Sequence, residues 1–220
     1  MKIFSRIKMC VSVTGRLMGM SFQIVRGLWV ITKLPRPCVS IFGGAQREGA
    51  QEKRYYALAE QAAALLVEHK FSVLTGGGPG IMEAANCGAH ATQHHAERTL
   101  KVIMRGLPLN ELPNKCVGEA IYVDDFLARK WLLIDYSVAF IIFPGGLGTL
   151  DELSDLMNLM HTGKIKRRTV ILIGVDYWKP YKDFFVQAKA QQFVLKDVPD
   201  PVLMDNVEAA VALIISTWQK

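Results

Sequence analysis

With 220 residues, half of them apolar, the chain suits one sizeable α/β domain more naturally than two. A formal charge of +6 suits an anionic ligand, but it is small and scattered, and no long Lys/Arg tract alternates with aromatics, which argues against nucleic acid. Cys10, Cys38, Cys87 and Cys116 lie far apart without a CxxC pair, so neither a disulfide framework nor a zinc site is expected, and a reducing cytoplasm fits.

Residues 1–34 are basic and apolar together, carrying Lys2, Arg6, Lys8, Arg16, Arg26 and Lys33, and form an extension to a domain spanning 35–220. The longest uncharged stretch, Leu17 to Val25, has nine residues, whereas a membrane-spanning helix needs ~20. No cleavage pattern of small residues follows it, so a signal peptide is not expected. Met18, Phe22, Val25 and Trp29 recur at helical spacing and predict a stripe that docks on the domain or on a partner subunit; the alternative is a membrane surface.

From Pro37 onward, short apolar runs alternate with helical patterns. Strands are predicted at Val39–Phe42, Ser72–Thr75, Leu100–Met104, Ala120–Val123, Val138–Phe143 and Val170–Gly174. The intervening helices begin near Lys53, with Leu58, Ala62, Leu65 and Leu66 inward, and span Phe126–Asp135, Leu150–Thr162, Tyr181–Gln191 and Val207–Trp218. Pro79 suits the first turn of a further helix after the second strand, where the N–H it lacks would be unpaired anyway. Such alternation implies a Rossmann-like doubly wound parallel sheet with helices on both faces and ligands beyond the carboxyl ends of the strands.

Two glycine-rich turns stand where such a fold binds anions. Gly76, Gly77, Gly78 and Gly80 follow the second strand; Gly145, Gly146 and Gly148 follow Val138–Phe143 and lead to Thr149 and Glu152. Neither turn reads GxGxxG or GxxxxGK[ST], so a dinucleotide or P-loop site is not indicated. One such turn could serve geometry alone, but two at one sheet edge favour a phosphate at a helix N-terminus. Thr149 and Glu152 also have capping-box spacing, the structural alternative to a functional carboxylate. Asp151 points about 100° away around the helix and makes no simple carboxylate pair with Glu152. His90, His94 and His95 cluster without a matching Cys/His group, and no metal is expected. Lys164, Lys166, Arg167 and Arg168 read as a solvated loop, or alternatively as a rim steering phosphate.

The segment Pro144 to Glu152 reads PGGLGTLDE and resembles the PGGxGTxxE signature of the LONELY GUY family of cytokinin-activating enzymes. Two further elements of that family stand in order before it, GGGPGIMEAAN at Gly76–Asn86 and the pair Arg129 and Lys130. Segments at Val39–Ala45, Leu107–Asn114 and Thr162–Ile165 extend the likeness from about residue 18 to the C-terminus. The resemblance implies hydrolysis of a nucleoside 5′-monophosphate, adenine-based or N6-substituted, to free base and ribose 5-phosphate. It further implies a homodimer with residues of both subunits near the site, no cofactor, and roles for Glu83 and Asn86 at ribose or base. Glu152 is then the carboxylate that stabilises positive charge on the ribose and activates water. Arg129 stays protonated, so its role is electrostatic, and Lys130 assists it. Asp124 and Asp125 are candidates for protonating the leaving base, with helix capping as their simpler role. Members often carry the label possible lysine decarboxylase, but no lysine here has a Schiff-base setting. The competing class is a non-catalytic carrier of nucleotides or phosphorylated cofactors.

Overall fold

The computed structural model describes residues 2–45, 50–92, 98–104, 114–116 and 118–219. After the helix α1 (Lys2–Ile31), the elements are β1 (Cys38–Phe42), α2 (Ala50–Glu68), β2 (Ser72–Thr75), α3 (Ile81–Ala91), β3 (Thr99–Met104) and β4 (Glu119–Val123). The chain continues through α4 (Phe126–Asp135), β5 (Ala139–Ile142), α5 (Leu147–His161), β6 (Thr169–Ile173), α6 (Val175–Ala190), β7 (Val202–Met204) and α7 (Val207–Trp218). All seven strands run parallel in the order β4-β3-β2-β1-β5-β6-β7. The doubly wound sheet expected from the alternation is therefore present. β1 is its middle strand, with Val39 registered on Val73 of β2 and on Ala139 of β5.

Both faces of the sheet are covered, which explains why the central strands are apolar without alternation. Phe140 and Ile142 of β5 pack into one layer with Leu132 and Leu133 of α4, Leu153 and Leu156 of α5 and Trp178 of α6. Ala139 and Ile141 of the same strand face the other layer, with Ala59, Ala62 and Ala63 of α2, Ala84 and Ala85 of α3 and Val211 of α7. The second layer is rich in alanine because α2 and α3 lie close together. A Cβ on Gly88 would come within 2.1 Å of the Glu60 carbonyl oxygen. Leu58 and Leu65 sit at the margin of this layer rather than inside it, because α2 turns its alanines to the sheet.

The starts of α3 and α6 differ from the sequence expectation, and β7 is a strand it did not contain. α3 starts at Ile81 with Gly80 as its N-cap, so Pro79 lies just ahead of the helix. α6 starts at Val175 and runs through Pro180; its first turn is held by Asp205, whose Oδ1 accepts from Val175 N at 3.1 Å. β7 has three half-buried residues, too few to show a period. Within the basic cluster, Arg168 donates to the carbonyls of Ile134 and Asp135, closing the end of α4, and Arg167 pairs with Asp197 at 2.7 Å. Arg167 and Arg168 thus serve the scaffold, while Lys164 and Lys166 are exposed, as a solvated loop would have them.

α1 docks on the domain, but not through the stripe of Met18, Phe22, Val25 and Trp29. Met18, Phe22, Val25 and Trp29 are each at least 64% exposed, while Met20, Ile24, Leu28 and Ile31 on the opposite side join the core layer of α4. The helix has two apolar faces, and spacing alone does not say which one meets the sheet. Two details decide it: Gly27 lets α1 approach Leu132, since a Cβ there would come within 2.6 Å of Leu132 Cδ1, and Gln23 bonds Asp124 twice, through Nε2 to Oδ2 at 2.9 Å and from Asp124 N to Oε1 at 2.8 Å. Gly27→Ala is expected to be near neutral in urea unfolding, because ~1 kcal/mol of helix propensity offsets a small shift of the Leu132 tip. Gly27→Leu is expected to cost about 1–3 kcal/mol by overpacking that contact.

Candidate active site

Three loops meet where the chain leaves the centre of the sheet for opposite faces, the place at which doubly wound folds bind ligands. Gly44, after β1, donates from its N to the Pro144 carbonyl at 3.0 Å and accepts from Ile81 N at 3.1 Å. The turn after β1 thus holds both glycine loops at fixed distance.

The first loop is shaped by a buried polar network. Thr75 Oγ1 accepts from Gly77 N at 3.0 Å and donates to Asn86 Oδ1 at 2.7 Å. Asn86 Nδ2 donates to Thr99 Oγ1 at 2.8 Å, and Asn114 Nδ2 donates to Asn86 Oδ1 at 2.9 Å and to the Gly78 carbonyl at 3.0 Å. Asn114 N also donates to the Gly77 carbonyl at 2.9 Å. Gly77 and Gly80 have φ of 73° and 70°, which side chains beyond glycine rarely adopt. Asn86 is fully buried, so it shapes the loop from behind; the expected contact with ribose or base is corrected to an internal one. Lys101 Nζ donates to the carbonyls of Cys116 at 2.6 Å and Asn114 at 3.4 Å, and burial lowers its pKa.

Cys116 is joined to Cys87 of α3 by a disulfide with Cα atoms 5.1 Å apart. This corrects the reading of four unpaired thiols. The separation of 29 residues between the two cysteines hid the pair. Most of the familiar segment from Leu107 to Asn114 lies outside the described residues, as do His94 and His95; among the described residues no cluster suited to a metal occurs.

The second loop overturns the capping alternative for Glu152. α5 begins at Leu147, three residues earlier than expected, with Gly146 as an N-cap that makes no side-chain hydrogen bond. Thr149 therefore lies in the first turn and Glu152 in the second, where no orphan N–H needs it. Gly145 is crowded: a Cβ there would come within 2.2 Å of Thr149 Oγ1 and 2.8 Å of Gly44 N. Around Gly146 and Gly148 the space is open, and both are exposed. The start of α5 thus offers bare backbone N–H groups and the positive end of the dipole to an anion. Tyr177 of α6, which no motif marks, donates its hydroxyl to the Gly145 carbonyl at 2.5 Å.

Arg129 and Glu152 project from neighbouring helices toward each other. Arg129 Nη2 lies 4.0 Å from Glu152 Oε1 and 3.4 Å from the Gly76 carbonyl. The guanidinium rests on the bare Cα of Gly76, where an added Cβ would come within 1.8 Å of Nη2. Arg129 Nε is buried without a hydrogen-bond partner. The Glu152 side chain is 16% exposed. Burial pushes its carboxyl up to about 6, Asp151 adding to the rise while Arg129 and Lys130 oppose it. Lys130 takes a different part from the one expected: it points to the outer face of α5 and pairs with Asp151 at 2.7 Å and Asp155 at 3.3 Å. Asp125 caps α4, its Oδ1 accepting from Leu127 N at 2.8 Å, which settles its simpler role. Glu83 stands in the first turn of α3, half-buried.

Residues 82–214 match the family model described as Possible lysine decarboxylase. The chain is 30% identical over 158 residues to a cytokinin riboside 5′-monophosphate phosphoribohydrolase of Arabidopsis thaliana, covering 71% of this chain and 70% of that one. It is also 30% identical over 141 residues to a pyrimidine/purine nucleotide 5′-monophosphate nucleosidase of Escherichia coli K12, covering 60% of this chain and 31% of that longer protein. Among solved structures, the molybdenum cofactor carrier protein of Chlamydomonas reinhardtii shares the fold at TM-score 0.60 and 18% identity, over 84% of this chain and all (100%) of that one.

The network behind the first loop makes a direct prediction. Asn86→Leu leaves Thr75, Thr99 and Asn114 without their shared buried partner, at a cost of about 1–3 kcal/mol for each stranded group. Chemical denaturation should show a loss of at least ~3 kcal/mol. A loss under about 1 kcal/mol would mean that water replaces the amide.

Proposed function

The chain belongs to the LONELY GUY family, whose model carries the description possible lysine decarboxylase, and on that premise we propose that it hydrolyses the N-glycosidic bond of a nucleoside 5′-monophosphate to free base and ribose 5-phosphate. The observation that carries the proposal is the pair of Arg129 and Glu152, 4.0 Å apart beside two glycine loops, with the glutamate held near pKa 6 and freed from any capping role. The family description asks for different chemistry. A decarboxylase of the Schiff-base type needs an available lysine, whereas Lys101 is spent on two carbonyls and Lys130 on two carboxylates.

The phosphate sits at the start of α5, on the backbone of Gly146, Gly148 and Thr149, with Gly76, Gly77, Gly78 and Gly80 across the crevice. Glu152 stabilises the cation that develops on the ribose and takes a proton from the attacking water as the new bond forms at C1′. The electrons of the breaking C–N bond stay with the base, which takes a proton from solvent, while Glu152 returns to solvent the proton it took, so the balance closes. Arg129 holds the anionic substrate and keeps part of the Glu152 population ionised. The preferred base is adenine or an N6-substituted adenine. The active form is a homodimer: Phe126, Leu127 and Trp131 of α4 are at least 40% exposed beside Arg129 and offer an apolar face to a second copy near the site. Residues 35–220 form the nucleotide-binding unit and residues 1–34 its extension.

Chromatography of reactions with AMP and adenosine tests the assignment, since binding energy at the phosphate is used at the reacting bond. AMP should release adenine and adenosine should not; tight AMP binding without release would favour a carrier. Glu152→Gln should lower turnover at least ~100-fold. The parent kcat/KM should rise with pH through about 6 as Glu152 ionises, and this limb should vanish in the variant.

The same shift has a consequence for stability. A carboxyl raised from its ordinary 4.5 to about 6 binds its proton more tightly in the folded chain, so stability falls as pH rises between those values. Glu152→Gln should therefore melt above the parent at pH ~7.5 and lose that advantage below pH ~4.5. Equal melting temperatures at both would remove burial as the cause.

A further inference from the structure

We propose that the exposed face of α1 lies on an anionic lipid surface, entering the interfacial layer without crossing the bilayer. Ile7, Val11, Met18, Phe22, Val25 and Trp29 are each more than half exposed. At 100° per residue they fall within roughly 60° of the helix circumference, forming one stripe. It points away from the face that Met20, Ile24, Leu28 and Ile31 turn to the core. Residues 7–19 are exposed on every side, so nothing in the described fold covers this half of the helix.

Charge identifies the occupant. Residues 1–34 hold six basic residues and no acidic one, and the other 20 basic residues of the chain balance its 20 acidic residues. The whole formal charge of +6 therefore sits on this segment, in contrast to the scattered distribution suggested by composition. Lys8, Arg26 and Lys33 run along one border of the apolar stripe and are exposed. Their stems can cover apolar surface while the ammonium or guanidinium groups reach lipid phosphates. No helix among the described residues is long and apolar enough to cross a membrane. A 30-residue helix is ~45 Å long and lies flat with its apolar face in the headgroup boundary. A second copy suits the stripe less well. Pairing α1 with α1 would bring two acid-free basic segments together, with like charges along the seam.

Co-sedimentation of the full chain with vesicles of phosphatidylcholine alone, and of phosphatidylcholine mixed with phosphatidylglycerol, tests the proposal. Binding is expected only to the mixed vesicles and should weaken as salt is raised. The triple variant Lys8→Gln, Arg16→Gln, Arg26→Gln should lower the partition coefficient at least ~50-fold, each basic residue near the surface contributing several-fold. Phe22→Ser with Trp29→Ser should abolish pelleting while far-UV circular dichroism and melting temperature stay those of the parent. Failure to bind mixed vesicles, or equal binding to both kinds, overturns the proposal. So does a stripe variant that leaves vesicle binding intact but converts a larger species to a smaller one in sedimentation equilibrium, which assigns the stripe to a second copy.

Discussion

The buried amide of Asn86 is the point from which the site is built. Its oxygen accepts hydrogen bonds from Thr75 at the end of β2 and from Asn114, and its nitrogen donates one to Thr99 at the start of β3. Three segments distant in sequence are thereby fixed behind one turn of glycines. Inside a protein a satisfied network of this kind is stiff, whereas a single missing partner is expensive. The backbone of Gly77 can then hold its left-handed conformation without a side chain to stabilise it, because Thr75 and Asn114 bond it from both sides.

Sheet topology supplies the other half. α4 and α5 lie in the same layer because each connects parallel strands on that face, and their apolar sides, Leu132 and Leu133 against Leu153 and Leu156, share one core. Arg129 and Lys130 are adjacent in sequence but about 100° apart on α4. One turns into the crevice and the other to the outer acids of α5, so a single pair of residues both places a positive charge beside Glu152 and clamps the helix that carries it.

Much of the frame is legible in the sequence because parallel strands buried on both faces are written as continuous apolar runs, and α4 and α7 have the limits that their patterns suggest. The start of α5 is not legible in this way: Leu147 is 86% exposed and glycines flank it, so composition argues for a turn where the backbone has already become helical. That three-residue difference decides whether Glu152 is a cap or a free carboxylate. Asn86 and Asn114 each close a segment of the family likeness, but their pairing is not legible there, since it joins residues 28 apart. For α1, two apolar faces compete in one pattern, and Gly27 and Gln23 resolve them through partners more than a hundred residues away.

The contact between Arg129 and the bare Cα of Gly76 couples the two positions in space. A Cβ at 76 would meet Nη2, the far end of a flexible side chain, so a residue larger than glycine displaces the guanidinium rather than the backbone. The glycine thus sets where the positive charge stands relative to Glu152, and a substitution there disturbs the Arg129–Glu152 pair before it disturbs the fold.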